Sequence, residues 1–367
     1  PGFINITLTD EYLAGYVDSL AGSSAFGTES QAPRKIVVDY GGPNVAKELH
    51  VGHLRPAIIG ESVKRVFRFL GHDVVGDVHL GDWGIPYGQL IVELEDRFPD
   101  LPYFDPHQVD GYPDEPPVTI EDLQRLYPLA AARAKEDEAF AAKARAAVVD
   151  LQGGRPGYRA LWQHMRNVSV TAIKKVYDRL NVEFELWHGE STINHRLDPM
   201  VKRLVGDGYA VESGGALVIE VMTADDTKEV PPFILLKSDG ASLYTTWDLA
   251  TIEDRVEELG AKEIIYIVDV RQALHFEQVF RAAYKTGIAS PDVVLDHSGN
   301  GTVNGPDGKP FKTRDGGLLR LRDLIDMVVE RAAQRLEENE LATEFDDIEK
   351  AEIAEKVGLA ALKYGDL

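Results

Sequence analysis

Arg34-Lys35-Ile36-Val37-Val38-Asp39-Tyr40 runs into Gly41-Gly42-Pro43-Asn44-Val45-Ala46-Lys47-Glu48-Leu49-His50-Val51-Gly52-His53-Leu54-Arg55-Pro56. The first seven residues form a β-branched run of strand type, and the Gly-Gly-Pro-Asn cluster is a turn. A helical spacing of apolar residues follows from about His53 to Leu70, with Gly71 placed to cap it. Asp73 to Leu80 then reads as a second strand. Strand, glycine-rich turn, helix and strand make a βαβ unit, so the default architecture is a parallel sheet with a right-handed crossover. In such a sheet ligands bind beyond the carboxyl ends of the strands, where a helix N-terminus offers free N–H groups to phosphate.

The rest of the chain bounds what such a sheet can do. The 367 residues carry 39 Lys+Arg against 61 Asp+Glu, a formal net charge of −22, and 44% hydrophobic residues, which places the chain among large globular proteins rather than disordered ones. The sequence has 0 Cys, which excludes a disulfide framework, a thiolate nucleophile and Cys-ligated zinc or iron–sulfur sites. No stretch approaches the roughly 18–20 uninterrupted apolar residues of a membrane span, and Pro1-Gly2-Phe3-Ile4-Asn5 lacks a basic region followed by an apolar run. The expectation is a soluble, cytoplasmic chain with no membrane or DNA partner. Its acidity is foremost a solubilising surface, and any nucleic-acid contact must be local, because sequence-independent binding needs Lys and Arg against phosphates.

Five segments are expected. Residues 1–30 read as a short helix and a Gly/Ser linker, and 31–91 as the first half of the sheet domain. Residues 92–188, Pro/Asp-rich at first and then Ala/Arg/Glu-rich, read as a mostly helical insertion. The second half of the sheet domain follows over 189–330, with strand candidates at 216–221, 232–236 and 263–268 and a helix from Trp247 to Leu259. Residues 331–367 read as C-terminal helices. The start without Met and the stop inside helix-like sequence read as cuts in a longer protein.

His50-Val51-Gly52-His53 puts two imidazoles either side of a glycine at a helix start. With 10 His and 33 Gly in the chain, such a pattern is expected about 0.02 times by chance. In the functional reading His50 and His53 donate hydrogen bonds to a triphosphate as charge builds on its α-phosphorus. Gly52 lets a base lie against bare backbone, and Lys47 adds a point charge. The bland alternative is a pair of helix-start histidines satisfied by local backbone; the preceding strand and Lys47 favour the phosphate.

These residues resemble the HIGH signature of the class I aminoacyl-tRNA synthetases, and the surrounding words are similar to those of the arginyl-tRNA synthetases. The matching stretches are Gly42–Lys47, His50–Arg55, His79–Gly84, Leu243–Ala250, Tyr266–Asp269 and Arg271–His275. Lys309-Pro310-Phe311-Lys312-Thr313 resembles the KMSKS loop, departing at Pro310 and Phe311; its glycines supply a hinge over 305–317. The resemblance implies a Rossmann-like α/β catalytic domain that condenses L-arginine with ATP, then passes the arginyl group to tRNA(Arg). Lys309 and Lys312 would neutralise the β- and γ-phosphates, and His275 would join the ATP site. It also implies an N-terminal tRNA-elbow domain and a C-terminal anticodon-binding domain, which lie outside this chain.

A guanidinium demands paired planar acceptors. Tyr244 and Asp248, four residues apart, share a helix face. By similarity to the arginyl enzymes Asp248 pairs with the guanidinium, Tyr244 flanks it, Glu190 lies near the same group, and Asn44 and Gln272 hold the α-ammonium end with Asp39 nearby. Each residue taken alone has a structural explanation, and only the joint match selects the pocket. The remaining histidines show no ligand-like spacing, so no protein-bound metal or prosthetic group is expected, and Mg²⁺ arrives with ATP. Trp83 reads as structural, and His72 and His79 as ordinary cap and strand residues. Lys64, Arg65 and Arg68, and Arg314, Arg320 and Arg322, are candidate acceptor-stem contacts. The rivals are a glutamyl-type synthetase or pantothenate-synthetase-like ligase on the same scaffold, and a non-catalytic arginine- or nucleotide-binding module.

Overall fold

The computed structural model describes residues 2–23, 25–28, 31–238, 240–304 and 319–367. After an exposed helix α1 (Asp10–Ala21), strand β1 (Lys35–Tyr40), helix α2 (Leu54–Phe69) and strand β2 (Asp73–Asp77) form the expected βαβ unit. Helices α3 (Ile85–Arg97), α4 (Ile120–Glu136), α5 (Glu138–Gln152), α6 (Pro156–Arg179) and α7 (Glu190–Gly206) follow. Helical structure thus begins before residue 92, because Pro86 in the first turn of α3 starts a helix directly after the Leu80–Gly84 turn. Strands β3 (Val211–Ser213), β4 (Ala216–Ile219) and β5 (Phe233–Leu236) lead to α8 (Tyr244–Glu257), β6 (Glu263–Asp269), α9 (Ala273–Lys285) and β7 (Val294–Asn300). The chain closes with α10 (Leu321–Glu338) and α11 (Asp347–Tyr364).

The parallel sheet has the order β2-β1-β6-β7, with Asp39 of β1 level with Asp77 of β2 and Tyr266 of β6. β1 is buried on both faces, as a central parallel strand must be. Its alternation divides the core. Ile36, Val38 and Tyr40 join an apolar cluster with α2, α3 and the helices of the insertion. Val37 joins a second cluster with α7, α8 and α9. Asp39 follows that second parity, which brings it toward α8.

Two expectations need correction. The strands at 216–221 and 232–236 do not resume the parallel sheet: β4 and β5 pair antiparallel with each other and with β3 in a separate meander. Short apolar runs look alike in either sheet, and only long-range pairing decides between them. The fourth parallel strand is β7, whose polar residues Asp296, His297, Ser298 and Asn300 hide it from a hydrophobic reading because it sits mostly exposed at the sheet edge.

Close packing explains several glycines. A methyl at Gly60 on α2 would stand 2.2 Å from the Tyr40 ring, and one at Gly88 on α3 would stand 2.2 Å from the Ala144 carbonyl of α5. Trp83 is buried edge-on against Trp162 of α6, and the Trp162 indole donates to the Asp82 carbonyl at 2.7 Å. Its structural reading therefore holds.

Candidate active site

Beyond β1 the chain is pinned at every turn. Gly41 has φ +69°, and its carbonyl accepts from the Tyr177 hydroxyl. A methyl at Gly42 would sit 2.5 Å from the carbonyl oxygens of Val78 and His79, so two backbones touch there. Val45 N–H donates to Gly81 and Gly81 N–H to Pro43, at 3.1 and 3.2 Å. Ala46 adopts φ +70°, a costly conformation for a residue with a Cβ, and Ser169 Oγ accepts its N–H. His50 then bridges antiparallel to Arg320, with Val51 N–H on the Leu319 carbonyl and Leu321 N–H on the Leu49 carbonyl.

This frame fixes the two imidazoles. Their centroids are 4.0 Å apart. Gly52 N–H donates to His50 Nδ1 and His50 N–H donates to His53 Nδ1, each at 3.1 Å. His50 accepts at Nδ1, so in the neutral form that ring carries its hydrogen on Nε2, while His53 Nδ1 faces both the His50 N–H and, at 3.2 Å, the His50 carbonyl. Burial pulls His53 down to about 3, with His50 and Lys47 adding to it, and burial and Lys47 also lower His50. The pair is thus a fixed set of neutral N–H donors. A methyl at Gly52 would lie 2.8 Å from the His50 ring, which leaves glycine as the residue that fits.

Lys47 directs its ammonium over the Tyr127 ring of α4 at 4.7 Å, toward the insertion, while its charge still reaches both histidines. It lines a cavity of about 760 Å³ between the insertion helices α4 and α6 and residues 47–49. Lys309, Lys312 and Arg314 lie outside the described residues. The flanks of that segment are tied to the histidine turn: Arg55 donates to the Thr302 carbonyl at 3.4 Å, and Glu48 pairs with Arg320 and Arg322 at 3.1 Å each. These pairings, and those of Arg65 with Glu61 and Arg68 with Glu185, give the basic residues partners within the chain. Lys64 is fully buried on Glu61 at 2.9 Å and is withdrawn as an acceptor-stem contact.

The second group converges from three helices. Tyr244 and Asp248 lie in the first turns of α8, which Thr245 and Thr246 staple to the carbonyls of Ile234 and Leu235 of β5. Glu190 opens α7, and its carboxylate accepts from Trp83 N–H at 3.2 Å. Burial, then the charge of Asp82 and less strongly that of Asp248, lifts Glu190 to about 7. Asp82 is fully buried under Arg166 at 2.7 Å and Ser191. His275, in the first turn of α9, meets Asp248 at 2.6 Å and lies 4.8 Å from the Tyr244 ring. Gln272 and Asn44 have exposed side chains at the same strand ends.

Asp39 is placed differently from its expected role beside a ligand. It is buried, and with Asp77 it receives the Arg255 guanidinium of α8, at 2.5 and 2.7 Å. Burial alone would raise Asp77, but His79 and Arg255 hold it well below the carboxylate range. Asp39, Asp77 and His79 have ligand atoms within 4.8 Å of one another, yet Arg255 already supplies the cation among them. His79, read as an ordinary strand residue, thus belongs to a buried charged cluster. The sequence reading missed Arg255, since a lone arginine eleven residues into a helix pattern carries no local signal.

A helix-start histidine pair and a carboxylate group both stand at the carboxyl edge of a parallel sheet, the edge at which an α/β domain takes its ligands. The comparisons narrow this further. The family model described as "tRNA synthetases class I (R), catalytic domain" matches residues 17–367. The chain is 54% identical to an arginine–tRNA ligase of Alkaliphilus oremlandii and 51% to one of Agathobacter rectalis, covering all of this chain and 62% of each relative. The arginyl-tRNA synthetase of Plasmodium falciparum superposes with a TM-score of 0.74 at 26% identity, over 95% of this chain and 58% of that one. The Thermus thermophilus arginyl-tRNA synthetase shares the fold, with a TM-score of 0.72 at 21% identity, over 96% and 61%. The chain belongs to the family of class I arginyl-tRNA synthetase catalytic domains. It spans about three fifths of the length of the curated relatives it matches.

Proposed function

We propose that this chain is the catalytic portion of an arginine–tRNA ligase. It activates L-arginine with ATP, accompanied by Mg²⁺, to arginyl-adenylate and pyrophosphate, and presents the product to tRNA(Arg). The observation that carries this reading is the convergence of Asp248, His275 and Glu190 as an acidic group suited to a cation, at the same carboxyl edge of the sheet that the strand before His50 and His53 reaches. A pocket for glutamate would need the opposite charge. Family membership is what supports a cytoplasmic setting within this proposal.

Arginine's carboxylate attacks the α-phosphorus in line, the bond to the β-phosphate oxygen breaks, and pyrophosphate leaves. No protein nucleophile is required, in keeping with 0 Cys. His50 and His53 supply ring N–H groups to the oxygens that gain charge, with no reorientation during the step. Lys309 and Lys312 neutralise the leaving pyrophosphate, and Lys47 adds field from the insertion side. Glu190 and Asp248 hold the guanidinium, Tyr244 covers it, and Asn44 and Gln272 receive the α-ammonium group. Within this reading 92–188 is the insertion and 331–367 leads toward an anticodon-binding domain.

Calorimetric titration with a non-hydrolysable arginyl-adenylate analogue tests the proposal, with the citrullyl and glutamyl analogues as controls. Citrulline keeps the shape and removes the charge. Tight binding of the arginyl form alone is expected; preference for the glutamyl form, or no binding, sinks the assignment.

A further inference from the structure

We propose that His275 is a positioning residue for arginine recognition, acting by orienting the Asp248 carboxylate, rather than a contact for ATP. This rests on the reading of the pocket under Proposed function and goes beyond it by assigning the specificity of Asp248 to a partner on another helix. His275 Nε2 lies 2.6 Å from Asp248 Oδ2. The ring is held on three sides: Tyr244 at 4.8 Å, Phe276 at 5.0 Å and the Asp248 carboxylate itself. Its Nδ1 is buried and has no partner among the described residues. Among the described residues the imidazole therefore makes its one hydrogen bond to Asp248.

The geometry gives that bond a task. A carboxylate in the first turns of a helix turns freely about its terminal torsion unless something holds it. A guanidinium demands an acceptor in its own plane. The imidazole takes Oδ2 and leaves Oδ1 for the ligand, so the carboxylate plane is set before arginine arrives. Phe276 meets the ring edge-on and packs tilted against Tyr266 of β6, centroids 4.7 Å apart, which keeps the first turn of α9 against that strand. The pocket's cation preference thus belongs to a unit built from α8 and α9 together.

The test compares His275→Ala, His275→Phe and His275→Gln in the 367-residue chain, measuring L-arginine and ATP binding by calorimetry. Phenylalanine keeps the ring packing and loses the donor; glutamine places an amide N–H where Nε2–H was. His275→Ala and His275→Phe are expected to weaken arginine at least roughly tenfold, and ATP less than about twofold, with His275→Gln recovering most of the arginine loss. In an Asp248→Asn background His275→Phe is expected to add little. Arginine binding unchanged in His275→Phe, or a loss of ATP equal to the loss of arginine, overturns the proposal. Where His275→Ala does not fold, the phenylalanine and glutamine variants decide. Wild-type chain that binds no arginine overturns the pocket reading itself, and this inference with it.

Discussion

Arg255 of α8 donates to Asp39 of β1 at 2.5 Å, across 216 positions of sequence, with both side chains removed from solvent. The same guanidinium reaches Asp77 of β2, so one residue ties the helix carrying Tyr244 and Asp248 to two adjacent parallel strands. The cost of burying three charges is offset only while all three remain.

Removing the cation should therefore be severe. Arg255→Ala is expected to destabilise the domain by about 3–5 kcal/mol, because it leaves buried Asp39 without its cation and Asp77 with His79 alone. Urea denaturation measures this. Replacing all three together by apolar residues of similar volume should recover much of the loss, and an isolated Arg255→Ala variant as stable as the parent would refute the account.

Glu190 makes arginine binding proton-linked. Burial beside Asp82 lifts its carboxyl from 4.5 to about 7. The folded domain then holds a proton that the unfolded chain releases in that window, so this residue's contribution to stability is complete below 4.5 and fades as pH rises through about 7. A guanidinium reverses the preference and drives the proton off. Calorimetry near pH 6.5, in buffers of different ionisation enthalpy, should show release of up to about three quarters of a proton per arginine. Glu190→Gln should abolish the release.

Gly52 is expected to act on the site rather than the fold. Gly52→Ala brings a methyl to 2.8 Å from the His50 ring at an exposed position. The ring must move, and ATP-dependent adenylate formation should fall on the order of tenfold to a hundredfold, while thermal unfolding barely changes. Pyrophosphate exchange with tRNA(Arg) present and a melting curve, taken together, check it.

Gly88→Ala is the converse case. Its methyl would meet the Ala144 backbone carbonyl at 2.2 Å, an obstacle no rotamer change relieves. Separating α3 from α5 should cost about 1–3 kcal/mol of stability. Arginine affinity in the surviving folded fraction should be unaltered, since neither helix carries a residue of the pocket.

The local periodicity of residues 34–80 was enough to find the βαβ unit, and the spacing of His50, Gly52 and His53 was enough to find its ligand edge, because both are properties of consecutive residues. Tyr244 and Asp248 were legible for the same reason, as two positions on one helical face. Neither the meander's pairing nor β7 is legible in this way, because strand pairing is settled by what lies beside a strand rather than within it.

What the sequence determined by itself is the order of elements, the helix-start histidine pair and the family to which its words belong. The tertiary structure decided the partners. It turned Asp39 toward Arg255, buried Lys64 on Glu61, raised Glu190 beside Asp82 and set His275 against Asp248. Each of these depends on desolvation and on contacts between residues distant in the chain. A carboxylate's charge, and what it is free to bind, follow from the groups that surround it after folding.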